Sequence, residues 1–170
     1  MALTTITKSN LESAPYNNMM EILNNRSNIV DPKDPQGTRD FIYDSDPFMK
    51  AIDFSGMPYI ILELPTHSGI KPTTDGKHEE ITWIYNVTIR TAKDGSGGGT
   101  KDVGRGEYLG IADDLNETCK SLTIRDSLDA VNMPRLIITK LSSDTLSVNQ
   151  KILYEGRYEL QHITRLAVSD

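Results

Sequence analysis

One cysteine, Cys119, is the whole thiol complement of this 170-residue chain. A disulfide framework and a zinc site built on four thiolates are both excluded by that count. Histidine is nearly as scarce: His67, His78 and His162 are the full set. None sits at the i,i+4 spacing that places two metal ligands on one helix face. Basic residues never form a run, and 18 Lys and Arg against 24 Asp and Glu leave a net charge of −6. The electrostatic footprint of a sequence-reading nucleic-acid binder is therefore missing. No apolar stretch approaches the roughly 18 residues of a membrane-spanning helix. The opening Met1–Thr7 has neither a charged start nor a long apolar core, so the sequence predicts no secretory signal and assembly in a cytoplasm. On that expectation the sequons at Asn86-Val-Thr and Asn116-Glu-Thr are chance matches.

What the chain does carry is a strong period-two signal. Ile81, Trp83, Tyr85, Val87 and Ile89 alternate with Thr82, Ile84, Asn86, Thr88 and Arg90. Alternation over that length, in β-branched and aromatic residues, predicts one long strand over 79–91 with one buried face. Ile60, Leu62 and Leu64 predict a shorter strand over 59–64, antiparallel to it. Further strands are expected over 135–141 and 151–164, with 142–150 as a turn or a bulged start to the last. Ser13 as cap and Pro15 in the first turn predict a helix over 13–25. A second helix is expected over 105–122, with Tyr108, Ile111, Leu115, Cys119 and Leu122 on one stripe. Ser45 or Asp46 before Pro47 predicts a short helical turn carrying Phe48, Ile52 and Phe54. The sum is a single α+β domain over 1–170: a largely antiparallel sheet of four or more strands, covered by two principal helices. A flexible N-terminal arm (1–12) and two long polar loops, 65–78 and 92–104, complete it. Loops of that length in a compact domain are usually functional or mobile.

Candidate chemistry is thin. Gly97-Gly-Gly-Thr-Lys101 falls short of a phosphate loop, because Lys101 follows Thr100 and no Ser or Thr follows it. His67 and His78, with Asp75, Glu79 and Glu80 nearby, read as solvated loop residues rather than metal ligands. Cys119 lies on the apolar stripe of a helix, where cysteines are inert. Asp113, Asp114 and Glu117 offer an acid/base cluster, but more simply a solvated helix face. Trp83, Tyr85, Tyr154 and Tyr158 have core-facing spacing, and no basic surround suits them to base stacking. Neither a cofactor, a metal nor an enzymatic activity is expected.

The order of elements resembles the tail-terminator (tail-completion) proteins of long-tailed bacteriophages and archaeal viruses. The resemblance rests on the helix over 13–25, the pair Pro58-Tyr-Ile-Ile-Leu-Glu-Leu-Pro65 and Glu79–Arg90, a variable loop, the helix around Glu107–Leu115, and a closing strand pair ending in Tyr154-Glu-Gly-Arg-Tyr-Glu-Leu160. It spans about 13 to 164, and the extra length falls in 26–57 and the loops. It implies a structural virion protein at the head-proximal end of the tail, a homohexamer ring without an active site. The implied partners are further copies of the chain, the tail tube protein, the head connector protein and DNA passing through the lumen without sequence recognition. A negative balance suits such passage by like-charge repulsion. The expected contacts are His67, Ser68, Lys71, Asp75 and Lys77 in the first loop, and Lys93, Asp94, Lys101 and Asp102 in the second. The alternatives are another connector of the head–tail junction, or a ligand-binding module or small enzyme using Asp113, Asp114 and Glu117.

Overall fold

The computed structural model describes residues 2–47, 54–93, 103–148 and 150–168. The expected α+β class holds: three α-helices lie with a seven-stranded, largely antiparallel sheet. In chain order the elements are α1 (Ala14–Asn24), β1 (Ile42–Tyr43), a 3₁₀ turn (Phe54–Gly56), β2 (Tyr59–Leu62), β3 (Thr66–His67), β4 (Lys71–Pro72), β5 (His78–Ala92), α2 (Val103–Lys120), α3 (Leu122–Asp129), β6 (Ile137–Val148) and β7 (Lys151–Ala167). The sheet order is β1-β2-β5-β7-β6, with β3 and β4 also on β5. Among the described residues only β1 pairs in parallel, against β2. Most of the short helical turn expected after Pro47, Phe48 and Ile52 included, lies outside the described residues.

The period-two signal becomes the backbone of the sheet. All fifteen residues of β5 pair with β7, from His78↔Ala167 to Ala92↔Leu153. One face of this ribbon is covered. Ile81, Trp83, Tyr85, Val87 and Ile89, with Tyr158 and Leu160 across from them, pack in one core with Tyr108, Ile111 and Leu115 of α2 and with Met19 and Ile22 of α1. Burying side chains of this size contributes about 1.5–3 kcal/mol each against the entropy of ordering the chain.

Two glycines set the distance between α2 and the sheet. A Cβ on Gly156 would stand 2.2 Å from the Tyr108 hydroxyl, so the bare backbone of β7 makes room for the Tyr108 ring. A Cβ on Gly104 would stand 1.6 Å from the Ala92 carbonyl oxygen, which brings the first turn of α2 against the end of β5. That contact is fixed by a 2.8 Å bond from the Thr91 hydroxyl to the Gly104 carbonyl.

The segment 65–78 corrects an expectation. It is an interrupted edge strand rather than an open loop. Thr66 follows Leu62 by four residues while their partners Ile84 and Val87 differ by three, and the same offset recurs between His67 and Lys71. Each step therefore inserts one residue, a bulge, and β2, β3 and β4 form one bulged strand along β5. The Ser68 amide donates to the Thr82 carbonyl at 2.9 Å, and the Thr73 amide closes the turn on the His78 carbonyl at 2.8 Å. Gly69, Pro72 and Gly76 read as loop composition because an edge strand tolerates residues that a central strand does not.

Other boundaries moved for equally local reasons. The second helix stops at Lys120, and Leu122, expected on its buried stripe, is 75% exposed at the start of α3. Ser13 stands at the N-cap of α1 without a side-chain capping bond, and the Asn10 carbonyl accepts from the Ser13 and Ala14 amides instead. β6 runs on through 142–148 with one bulge between Lys140 and Ser142. Residues 2–12, expected as a flexible arm, lie docked on the body. Ile6 is buried, its amide donates to the Val131 carbonyl, and the Asn18 side chain bonds both the amide and the carbonyl of Thr4.

Candidate functional site

Six of the residues expected as contacts are described, and they lie around β5. His67, Ser68, Lys71, Asp75 and Lys77 surround its start, in β3, β4 and the turn between β4 and β5. Lys93 immediately follows its end, donating its amide to the Ile152 carbonyl. Fourteen residue steps of about 3.4 Å separate the ends of β5, roughly 48 Å. Asp94, Lys101, Asp102 and the glycine run 95–99 lie outside the described residues. Among the described candidates, five therefore gather near the start of β5, and Lys93 stands apart at its end.

Near the start of β5 the polar groups are mostly committed to the fold. The His67 ring packs against Trp83 with centroids 4.7 Å apart, and the Ser68 hydroxyl accepts from the Thr82 amide. The Thr73 hydroxyl and the Lys77 amide both donate to Asp75, and these bonds hold its carboxyl below the usual carboxylate range. Lys71 is exposed and has no ion-pair partner among the described residues.

The acidic cluster on α2 does not converge. Asp114 accepts the Val30 amide at 3.0 Å and so ties the segment after α1 to the helix, whereas Asp113 and Glu117 are exposed. Among the described residues no group of His, Cys, Asp and Glu could hold a metal ion. Cys119 is buried, and burial pushes its thiol up to about 12, which leaves it inert.

Two features escape a reading by residue type. The first is the second face of the sheet, which a smaller apolar cluster of Met57, Tyr59, Ile61, Ala92 and Leu153 covers at one end. Opposite the helices it carries Arg90, which reaches Asp46, the Glu155 carboxylate at 2.7 Å and the Tyr59 hydroxyl. Glu155 is nearly fully buried, and Arg157 holds its other oxygen at 2.8 Å. Arg165 binds Glu80 on the same face at 2.6 Å. Across this face, with Glu63, Asp144 and Glu159, the three arginines and Lys71 and Lys151 meet six carboxylates, so the charges nearly balance. A depression of about 410 Å³ opens beside Asn86, Thr88 and Leu141.

The second feature is β6 itself. Its inner edge pairs with β7, and among the described residues nothing pairs with its outer edge. Nearly all its side chains are exposed, including Ile137 and Leu141 at 54% and 55% and, less so, Leu146. The signal for this strand was weak because neither of its faces is buried, so no alternation of apolar residues develops.

His162, which sequence spacing left as an isolated histidine, is in the core. Its Nε2 lies 2.8 Å from the Tyr85 hydroxyl, and its ring stacks near Trp83. Desolvation by burial lowers its pKa to about 4, so it is a neutral structural partner.

No family model matches the chain, and no curated protein matches it.

Proposed function

We propose that this protein is a structural subunit of a closed ring, and that the ring is the tail terminator of a long-tailed virus, joining the tail tube to the head connector. The observation that carries the ring is the free outer edge of β6, twelve residues long with exposed Ile137, Leu141 and Leu146. Such an edge is a template for another strand, and monomeric proteins usually blunt it. Exposed apolar residues along it fit a contact surface. The station in the virion rests on the resemblance in element order. The ligand-binding alternative finds less support, because Asp114 is used in tying down Val30.

The test is native mass and negative-stain imaging across concentration, alone and with tail tubes. Six chains of 19.0 kDa give a ring of about 114 kDa. Rings that cap tube ends are the expected result. A monomer under every condition, tubes included, refutes the proposal.

A further inference from the structure

The two free edges of the sheet differ in a way that specifies how copies join. β2–β4 and β6 lie on opposite sides of β5 and β7. β2–β4 runs antiparallel to β5, β7 also runs antiparallel to β5, and β6 runs antiparallel to β7. Directions therefore alternate across β4, β5, β7 and β6. A copy rotated about an axis along the strands presents its β4 edge to the β6 edge of its neighbour, and the alternation continues. The helix layer then stays on one side.

The charges on these edges are complementary. Asp144 is exposed on the face of β6 opposite the helices, directly across from the acidic Glu155 of β7. Glu155 is already held by Arg90 and Arg157, and Asp144 has no ion-pair partner among the described residues. Like charges directly opposite are unfavourable, so Asp144 gains from an outside cation. Lys71 sits on the same face of the sheet in β4, opposite Glu80, which Arg165 holds. One edge thus offers an unpaired carboxylate and the other an unpaired ammonium.

We infer that β6 lies antiparallel beside β4 of a second copy of this chain, joined by an ion pair between Asp144 and Lys71 rather than by a backbone ladder, because Pro72 has no N–H to donate. The contact uses two different patches, so it is head-to-tail rather than two-fold, as the ring proposed above requires. The bulges flanking β4 confine the contact to a few residues. This inference rests on the ring proposed above and assigns its interface.

Charge exchange tests it. Asp144→Lys and Lys71→Glu are exposed substitutions, and circular dichroism and melting verify that each variant folds. Sedimentation and negative stain then report assembly, alone or on tail tubes if the wild type needs them. Each single variant is expected to lose rings, since it faces a like charge. The double variant Asp144→Lys/Lys71→Glu is expected to regain them. An equimolar mixture of the two single variants is also expected to form rings, because every junction in an alternating ring of even number joins opposite charges. Wild-type rings that survive both single substitutions overturn the edge assignment and leave the ring standing. Loss in Asp144→Lys with no effect of Lys71→Glu also overturns it, since β6 then has another partner. A wild type that never assembles removes the ring and the interface together.

Discussion

Lowering the pH from 7 to 4.5 should destabilise this protein by about 2.5 kcal/mol through His162 alone. The side chain is 1% exposed, bonded to the Tyr85 hydroxyl, and burial lowers its pKa to about 4. An unfolded chain binds the same proton near pH 6.5. Above that value both states are neutral and the group exerts no pull. Below it the unfolded state takes up a proton that the folded state refuses, and stability falls by about 1.4 kcal/mol per pH unit until the folded pKa is reached near 4. The assay is urea unfolding at half-unit steps from pH 7.5 to 4.5, for the wild type and for His162→Gln. Glutamine keeps a polar group beside Tyr85 and cannot titrate. Carboxylates contribute equally to both proteins, so the difference between their slopes isolates the histidine. Equal slopes, or a wild type whose stability is flat across this window, refute the argument.

Four other outcomes follow from contacts in the core and at its margin. Gly156→Ala should cost about 1–3 kcal/mol, because the new methyl meets the Tyr108 ring, and Tyr108→Phe should recover part of the loss by removing the nearest atom. Gly104→Ala should cost more, since its obstacle is the Ala92 backbone, and chemical denaturation ranks the two. Arg39→Ala should cost about 3–5 kcal/mol, because Arg39 binds both oxygens of the fully buried Asp31 and its loss weakens the neutralisation of that carboxylate, leaving Arg26 at 3.7 Å. Asp113→Asn and Glu117→Gln should leave stability within about 0.5 kcal/mol, whereas Asp114→Ala should cost about 1 kcal/mol through the Val30 amide, as thermal melting will show.

Legibility in the sequence tracked burial on one face. β5 could be read residue by residue because its alternation has a buried and an open side, and the stripe of α1 for the same reason. α3 escaped because eight residues with only Ile124 and Leu128 buried are too few to develop a helical period. β6 was cut short because both its faces are exposed, and the bulged edge at 65–78 resembled a loop because its glycines and proline serve bulges and a turn. The roles of Gly104 and Gly156 depend on what approaches from α2, β5 and β7, far along the chain, and composition holds no trace of that. The unpaired ions Asp144 and Lys71 on opposite edges of the sheet could be seen only through the register.

The fifteen-rung pairing of β5 with β7 also governs how the chain reaches its fold. Partners lie far apart in sequence, from Ala92 with Leu153 to His78 with Ala167. During synthesis at about 5–20 residues per second, β5 therefore waits several seconds for β7. The turn at Thr73–His78 lets the bulged edge zip onto β5 meanwhile, since its partners are near in sequence. One flank of the most apolar strand is thus sheltered early, while the other stays open until the last strand emerges. Refolding from denaturant should accordingly run in milliseconds to seconds rather than microseconds, with amides of β2 protected before those of β7 in pulse-labelled exchange.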